Sequence, residues 1–188
     1  MGLNEAKQYI AELHKKQDNP YLWPDFLTGL PDKNAIIKMI SEVYNLLGKQ
    51  SISMIRIANI QPYLIKYGPD KHAEIIQWAA GILKTTADKN NGFVGAFCTH
   101  DFVAICDEKR SENLIKNASQ LFEKKALTFY TKEDLKRGNV FSFIKEGEKI
   151  NIGFMRLIAT TMSEKTSLPK DHIIPYLGRL CTEIERNI

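Results

Sequence analysis

The sequence lacks the features that mark membrane-spanning and nucleic-acid-binding proteins. No apolar run approaches the roughly 20 residues that a helix needs to cross a bilayer. The 26 Lys and Arg residues are interspersed with 22 Asp and Glu residues, for a net charge of +4. No basic block is long enough to indicate a nucleic-acid-binding arm. We therefore expect a protein that binds neither membranes nor nucleic acid.

Cysteine is also scarce, and its pattern excludes two classes of site. The three cysteines, Cys98, Cys106 and Cys181, are an odd number without metal-ligand spacing. Reduced thiols in a cytoplasmic protein are the simplest account. The first residues, "MGLNEAKQYIAELHKKQ", are charged and amphipathic, unlike a signal peptide. The sequence thus predicts a cytoplasmic protein without a disulfide framework or a metal site.

The remaining composition is that of a globular domain preceded by a helix. The chain has 188 residues, of which 44% are hydrophobic and 26% charged, and this length suits one domain. Helical spacing of apolar residues covers 3–17, and "DNPYLWP" then interrupts the helix. We divide the chain into an N-terminal linker helix, 1–22, and a domain, 23–188. The helix either joins an upstream module or a dimer partner, or folds back on its own domain.

The pattern of the domain predicts helices that alternate with strands. Helices are expected at 32–47, 69–87, 111–125 and 171–187, and strands at 51–57 and 154–161. Two hairpins are expected, one over 93–106 and a smaller one around Glu146-Gly147. Crossover helices between strands favour an α/β sandwich with helices packed on a central sheet.

The most specific string in the chain is "DFLTGLPDKNAIIKMI". Its core comprises Asp25, Leu27, Thr28, Gly29 and Leu30. This D-x-LTGL core resembles the opening motif of GGDEF domains, the diguanylate cyclases.

The rest of the domain follows the same family in register. "SISMIRI" falls where the family has its first core strand, and "KYGPDKHAEIIQWAAGIL" is similar to the family helix "xyGHxxGDxxLxxxAxxL". The string "CTHDF", Cys98–Phe102, stands in the place of the GGDEF signature. "FYTKEDLKRGNVFSF…GFMRLIATT" is similar to an insertion in GGDEF domains of some bacterial response regulators. The resemblance covers about Asp25 to the last residue.

The resemblance implies both a fold and an activity. The fold is a ferredoxin-like, adenylate-cyclase-type α+β fold, with a mostly antiparallel central sheet, packed helices and here a small extra hairpin. Family members join two GTP molecules, one on each subunit of a dimer, into cyclic di-GMP. That reaction needs two carboxylate positions for Mg²⁺, a glycine turn that lets the backbone approach the nucleotide, and polar groups that recognise guanine.

The residues at the metal and signature positions do not suit this chemistry. The first metal-binding aspartate aligns with Arg56, and the next aspartate position is Ala58. Mg²⁺ prefers oxygen ligands, and a cation about 4 Å away costs roughly 4 kcal/mol per unit charge at an effective dielectric of 20, which Mg²⁺ doubles. In the signature, Cys98, Thr99 and His100 replace two glycines and an acid. Only Asp101 and Phe102 keep the family character.

The nucleotide-binding positions are altered as well. The asparagine and aspartate that contact guanine align with Leu64 and Ala73, which offer no side-chain hydrogen bonds. The product-inhibition motif RxxD aligns with 89–92, where Lys89 keeps the positive charge and Gly92 replaces the acid. Arg56 with Lys89 could form a residual phosphate site, with Asp101 nearby. Alternatively, Arg56 is an arginine at a strand end that pairs with Asp101 across the hairpin.

Two catalytic interpretations of the turn are weaker. His100 and Asp101 could form a general-base pair, but neighbours on a strand point to opposite faces, so solvated turn residues are the simpler account. Cys98 could be a nucleophile, yet no flanking basic residue lowers its pKa.

We therefore interpret the chain as a catalytically inactive GGDEF-type domain without a cofactor. It would act as a regulatory or interaction module in bacterial cyclic di-GMP-related signalling, as in a response regulator. Its partner would be another protein, an upstream signalling domain or a second copy, and nucleotide binding stays open. The alternatives are a divergent cyclase with GTP binding or slow turnover, and a ferredoxin-like interaction domain unrelated to nucleotides.

Overall fold

The computed structural model describes residues 2–16 and 25–188. Its helices and strands run in the order α1 (Gly2–Lys16), α2 (Lys33–Val43), β1 (Gln50–Ala58), α3 (Ile60–Tyr67), α4 (Pro69–Lys89), β2 (Phe93–Ala96), β3 (Asp101–Asp107), α5 (Glu108–Ala126), α6 (Lys132–Arg137), β4 (Phe141–Lys145), β5 (Glu148–Ile152), β6 (Arg156–Met162) and α7 (Ile173–Arg186). Single 3₁₀ turns follow α2 and α5 and precede α7. The predicted break at 18–24 and the domain boundary at 22/23 lie outside the described residues.

The central sheet has the strand order β2-β3-β1-β6, and every neighbouring pair is antiparallel. Strands β4 and β5 form a separate hairpin. The predicted antiparallel sheet with an extra hairpin is therefore confirmed. In the central register, Arg56 of β1 lies directly opposite Asp101 of β3.

Helices cover both faces of the sheet because strand residues alternate between two apolar cores. One core joins Ile55, Ile57 and Phe102 to helices α4 and α5. The other core joins Met54 and Val103 to α2 and α7. Each fully buried Ile or Phe side chain contributes about 1.5–3 kcal/mol, so the two cores fix the sheet between its helices.

Helix α1 lies against α4, and of the two placements considered for it the structure shows the one that is folded back. Its Ala6 and Leu13 side chains are fully buried. The close approach uses Gly81 of α4, where an added Cβ would come within 3.1 Å of the Ala6 carbonyl oxygen. The assignment of 1–22 as a separate linker unit stays a prediction.

The D-x-LTGL segment forms a turn held by its own side chains. The Asp25 carboxylate accepts hydrogen bonds from the Thr28 amide at 2.7 Å and the Thr28 hydroxyl at 2.5 Å. The Gly29 amide donates to the Asp25 carbonyl, and Gly29 has a φ of 70°, which favours glycine. The turn buries Leu30 and leads directly into α2.

Helix α3 was not predicted, because Pro62 interrupts its pattern. Pro62 stands in the first turn, where the amide hydrogens have no partner within the helix, so proline is tolerated. A buried carboxylate joins α3 to α6, since Asp134 of α6 accepts hydrogen bonds from Lys66, Tyr67 and Arg137.

Within 2–16 and 25–188, no helix is long and apolar enough to cross a membrane.

Candidate functional site

Arg56, which the sequence resemblance aligns with a metal-binding aspartate, forms a buried ion pair. The Arg56 guanidinium donates from Nε to Asp101 Oδ1 at 2.7 Å and from Nη2 to Asp101 Oδ2 at 3.0 Å. The side chains of Arg56 and Asp101 are only 12% and 9% exposed. Hydrogen bonding to Asp101 raises the pKa of Arg56, so the guanidinium stays charged. The pair of Arg56 with Asp101 that was considered as an alternative is present. Asp101 is predicted from the sequence to be solvated, but it is buried.

Helix α7 completes the coordination of the guanidinium. Arg56 Nη1 donates to the Thr182 hydroxyl at 2.9 Å and to Glu185 at 3.5 Å. The Glu185 carboxylate also accepts a hydrogen bond from the backbone amide of Asn59. Asn59 directly follows β1 and has a φ of 59°. The pair thus ties the end of β1 to β3 and to the last helix.

These residues do not fit a magnesium ion. Both Asp101 oxygens already accept hydrogen bonds from Arg56, and the residue that faces Asp101 on β1 is a guanidinium rather than a second carboxylate. A cation there repels Mg²⁺ and supplies no oxygen ligand. Among the residues that the structure describes, no group of three or more His, Cys, Asp or Glu side chains is arranged to hold a metal.

The turn between β2 and β3 closes through the backbone of Asp101. The Asp101 carbonyl accepts from the amides of Phe97 at 2.9 Å and Cys98 at 3.2 Å, and the Ile57 amide donates to His100. None of residues 98–101 belongs to the positive-φ set of the described chain. Cys98 and Thr99 therefore replace the family glycines without backbone strain, and their exposed side chains stand at the surface of the turn.

The side chains of the turn separate rather than form a catalytic pair. Asp101 binds Arg56, whereas His100 interacts electrostatically with His72 of α4. Desolvation by neighbouring atoms, foremost among several causes, raises the pKa of the Cys98 thiol. A raised pKa keeps the thiol protonated at neutral pH, which makes Cys98 a poor nucleophile.

His72 is a residue of this region that the sequence reasoning missed. Its position is a glycine in the family helix motif quoted above. The Nε2 atom of His72 is buried and has no hydrogen-bond partner among residues 2–16 and 25–188. Burial, followed by the charge of His100, lowers the pKa of His72. An imidazole therefore fills space beside the turn that a glycine would leave free.

The two aligned guanine positions offer no recognition groups. Leu64 on α3 and Ala73 on α4 are half-buried, and neither has a polar side-chain atom. A guanine edge placed there would lose its hydrogen-bond partners, at about 1–3 kcal/mol for each unsatisfied group.

Lys89 does not lie with Arg56. Its amine pairs with Glu5 of α1 at 2.5 Å. Strand β2 begins four residues later, at Phe93. Phe93 lies opposite Ile105 of β3, and Ile105 in turn lies opposite Ile52 of β1. Ile52 is four residues from Arg56, or about 13 Å along the strand. The structure therefore does not bring together the two cations of the residual phosphate site.

Thr182 and Glu185 were also missed, because 126 or more residues separate them from Arg56 in the chain. They lie three positions apart, on one face of α7. That spacing was the only available signal.

No model of a known protein family matches the chain, and no curated protein matches its sequence. Solved structures do match it. The GGDEF domain of FimX from Pseudomonas aeruginosa is 13% identical, with a TM-score of 0.57 over 87% of this chain and 94% of that chain. The GGDEF domain of DgcB from Caulobacter crescentus, solved in complex with c-di-GMP, is 10% identical, with a TM-score of 0.58 over 87% of each chain.

A third structure covers nearly the whole chain. The diguanylate cyclase SiaD from Pseudomonas aeruginosa, solved in complex with its activator SiaC, is 9% identical with a TM-score of 0.63. The match covers 98% of this chain and 65% of SiaD. The chain therefore has the fold of GGDEF domains, as the sequence resemblance predicted.

Proposed function

We propose that the chain is a catalytically inactive GGDEF-type domain that acts as a regulatory or interaction module in bacterial cyclic di-GMP-related signalling. One observation carries the proposal. The Arg56–Asp101 pair is buried, and the sequence resemblance aligns Arg56 with the first metal-binding aspartate of the family. Without a carboxylate at that position, the domain would lack the Mg²⁺ that neutralises the triphosphate.

The surroundings of the pair support the same conclusion. His72 occupies a glycine position beside the signature turn, and Leu64 and Ala73 cannot recognise guanine. The domain keeps its two apolar cores and its opening turn, so it offers a folded surface without the chemistry. Its partner is another protein, an upstream signalling domain or a second copy in the bacterial cytoplasm, in the manner of a response-regulator output domain.

The test combines turnover with ligand binding. The chain is incubated with GTP and Mg²⁺, and cyclic di-GMP is measured by chromatography. In parallel, thermal unfolding is followed with GTP and with cyclic di-GMP, each with and without Mg²⁺. A ligand at 100 times its dissociation constant stabilises by about 2.7 kcal/mol, a shift of about 5 °C or more for a domain of this size.

We expect no product and no Mg²⁺-dependent shift. Product above the level of a no-enzyme control would overturn the proposal in favour of a divergent cyclase. A shift with either nucleotide that is independent of Mg²⁺ would assign a metal-free nucleotide sensor. If neither nucleotide shifts the midpoint, the domain recognises a protein.

A further inference from the structure

A cavity of about 340 Å³ opens on the α2 and α7 face of the molecule. Its wall is apolar and consists of Ile37, Ile40, Phe97, Ile174 and Pro175. The Ile37 side chain is 50% exposed at the mouth of the cavity. Ile174 precedes Thr182 by eight residues, or about 12 Å along α7, so the cavity is separate from the Arg56 site.

The mouth of the cavity is positively charged. Lys33 stands on the α2 side and Lys170 on the α7 side. The Lys33 amine lies 5.2 Å from the centre of the Phe97 ring, and the Lys170 amine lies 5.4 Å from that of Tyr44. Within the described residues, neither lysine has a carboxylate within ion-pair distance.

The acidic residue at the mouth does not cancel this charge. The Asp171 side chain is 81% exposed, and its ion-pair neighbour is His172 at 3.8 Å. Water therefore screens most of its charge. Ser41 also lines the cavity, and its hydroxyl donates to the Ile37 carbonyl. Two unpaired cations thus border an apolar space.

An apolar wall with a few polar groups at its edge is the usual form of a small-molecule site. The volume accommodates about eleven heavy atoms, at the roughly 30 Å³ that a water molecule occupies in the liquid. An apolar body would displace water from the wall, and one anionic group would face the lysines. We propose that this cavity binds a small amphipathic carboxylic acid, with its aliphatic or aromatic body against Ile37 and Phe97 and its carboxylate between Lys33 and Lys170. The site is independent of the function proposed above.

The test uses decanoate as the probe and decanol as its neutral counterpart. Binding is measured by titration calorimetry and by the methyl resonances of Ile37, Ile40 and Ile174. We expect saturable one-to-one binding of decanoate with a dissociation constant near or below about 1 mM, and weaker binding of decanol. The shifted resonances should be those of the cavity wall.

Matched variants distinguish binding in the cavity from nonspecific binding to the protein surface. Lys33→Gln and Lys170→Gln should each weaken decanoate binding about three- to fivefold, whereas Lys38→Gln, on the same helix but outside the cavity, should not. Ile37→Glu should weaken binding at least about tenfold, because it places a like charge at the mouth. Ile65→Glu changes a 76% exposed isoleucine of α3 and should have no effect.

Three results would overturn the proposal. The first is the absence of saturable decanoate binding. The second is equal binding of decanol and decanoate with no effect of the two lysine variants. The third is that decanoate perturbs resonances outside the cavity and leaves those of Ile37, Ile40 and Ile174 unchanged. Unchanged unfolding midpoints of the variants exclude loss of folding as the cause.

Discussion

The opening turn at 25–30 and the turn at 98–102 both resemble family motifs, but the first keeps its motif residues whereas Cys98, Thr99 and His100 depart from the second motif. In the opening turn, Asp25, Thr28 and Gly29 all act within the turn itself, through side-chain bonds and a left-handed backbone. In the second turn, the backbone closes through the Asp101 carbonyl, so the side chains of Cys98 and Thr99 are not needed for folding.

The difference separates two kinds of constraint. Residues of the opening turn stabilise the fold. Replacing any of them would lower the free energy of unfolding, whether or not the domain is an enzyme. By the family resemblance, glycines at 98 and 99 would let the backbone approach a nucleotide. The fold is therefore maintained with Cys98 and Thr99 at these positions.

The largest expected effect lies at the ion pair. Arg56→Met leaves the buried Asp101 carboxylate unpaired and should lower the free energy of unfolding by about 3 kcal/mol, measured by urea denaturation. The exposed Arg179 of α7 is the control, and Arg179→Met should change stability by about 0.5 kcal/mol or less.

A double variant sharpens this result. Arg56→Met with Asp101→Leu removes both charges and should recover at least half of the loss, because an apolar pair of similar volume carries no desolvation cost. If the double variant is no more stable than Arg56→Met, the pair is not what stabilises this region.

The next effect lies in the opening turn. Asp25→Ala removes the acceptor of the Thr28 amide and hydroxyl and should cost about 2 kcal/mol, since Thr28 is buried. Asp32→Ala, seven residues later, removes one capping hydrogen bond to the Ala35 amide and should cost about 1 kcal/mol. Equal losses in the two variants would argue against a special role of the turn.

The smallest effect concerns His72 and depends on pH. Because burial lowers the pKa of His72 in the folded state, the unfolded chain binds more protons below its ordinary pKa of about 6.5. The contribution of the neutral His72 side chain to the free energy of unfolding is complete above that pH. It is lost as the pH falls through the lowered pKa of the folded state.

The measurement is the unfolding midpoint between pH 7.5 and 5.5. His72→Gln should flatten this dependence, whereas His172→Gln, at a 65% exposed side chain, should leave it unchanged. An equally steep dependence in the His72 variant would place the pH sensitivity elsewhere.

Local patterns predicted most of the fold. The apolar runs of β1 and β3 and the helical spacing of α4 are properties of short segments, and the structure confirms these strands and this helix. Helix α3 was not predicted because Pro62 lies within it. Proline is tolerated there because the amide hydrogens of the first turn have no acceptor within the helix. Of the two alternatives considered for Arg56, a phosphate site with Lys89 and a pair with Asp101, the structure shows the pair.

Contacts between distant segments could not be predicted. Glu185 approaches Arg56 only after α7 packs on the sheet, and the Lys66–Asp134 pair spans 68 residues of chain. The separation of Lys89 from Arg56 likewise follows from the sheet register, which the alignment did not contain.

The most direct test of the account is a Mg²⁺ titration of the native chain and of Arg56→Asp, with GTP present, followed by thermal unfolding. Arg56→Asn, which adds no carboxylate, is the control. We expect no Mg²⁺-dependent shift for the native chain or for Arg56→Asn. We expect a shift for Arg56→Asp, whose second carboxylate beside Asp101 creates an oxygen site. A Mg²⁺-dependent shift of the native chain would contradict the claim that the ion pair has replaced the metal.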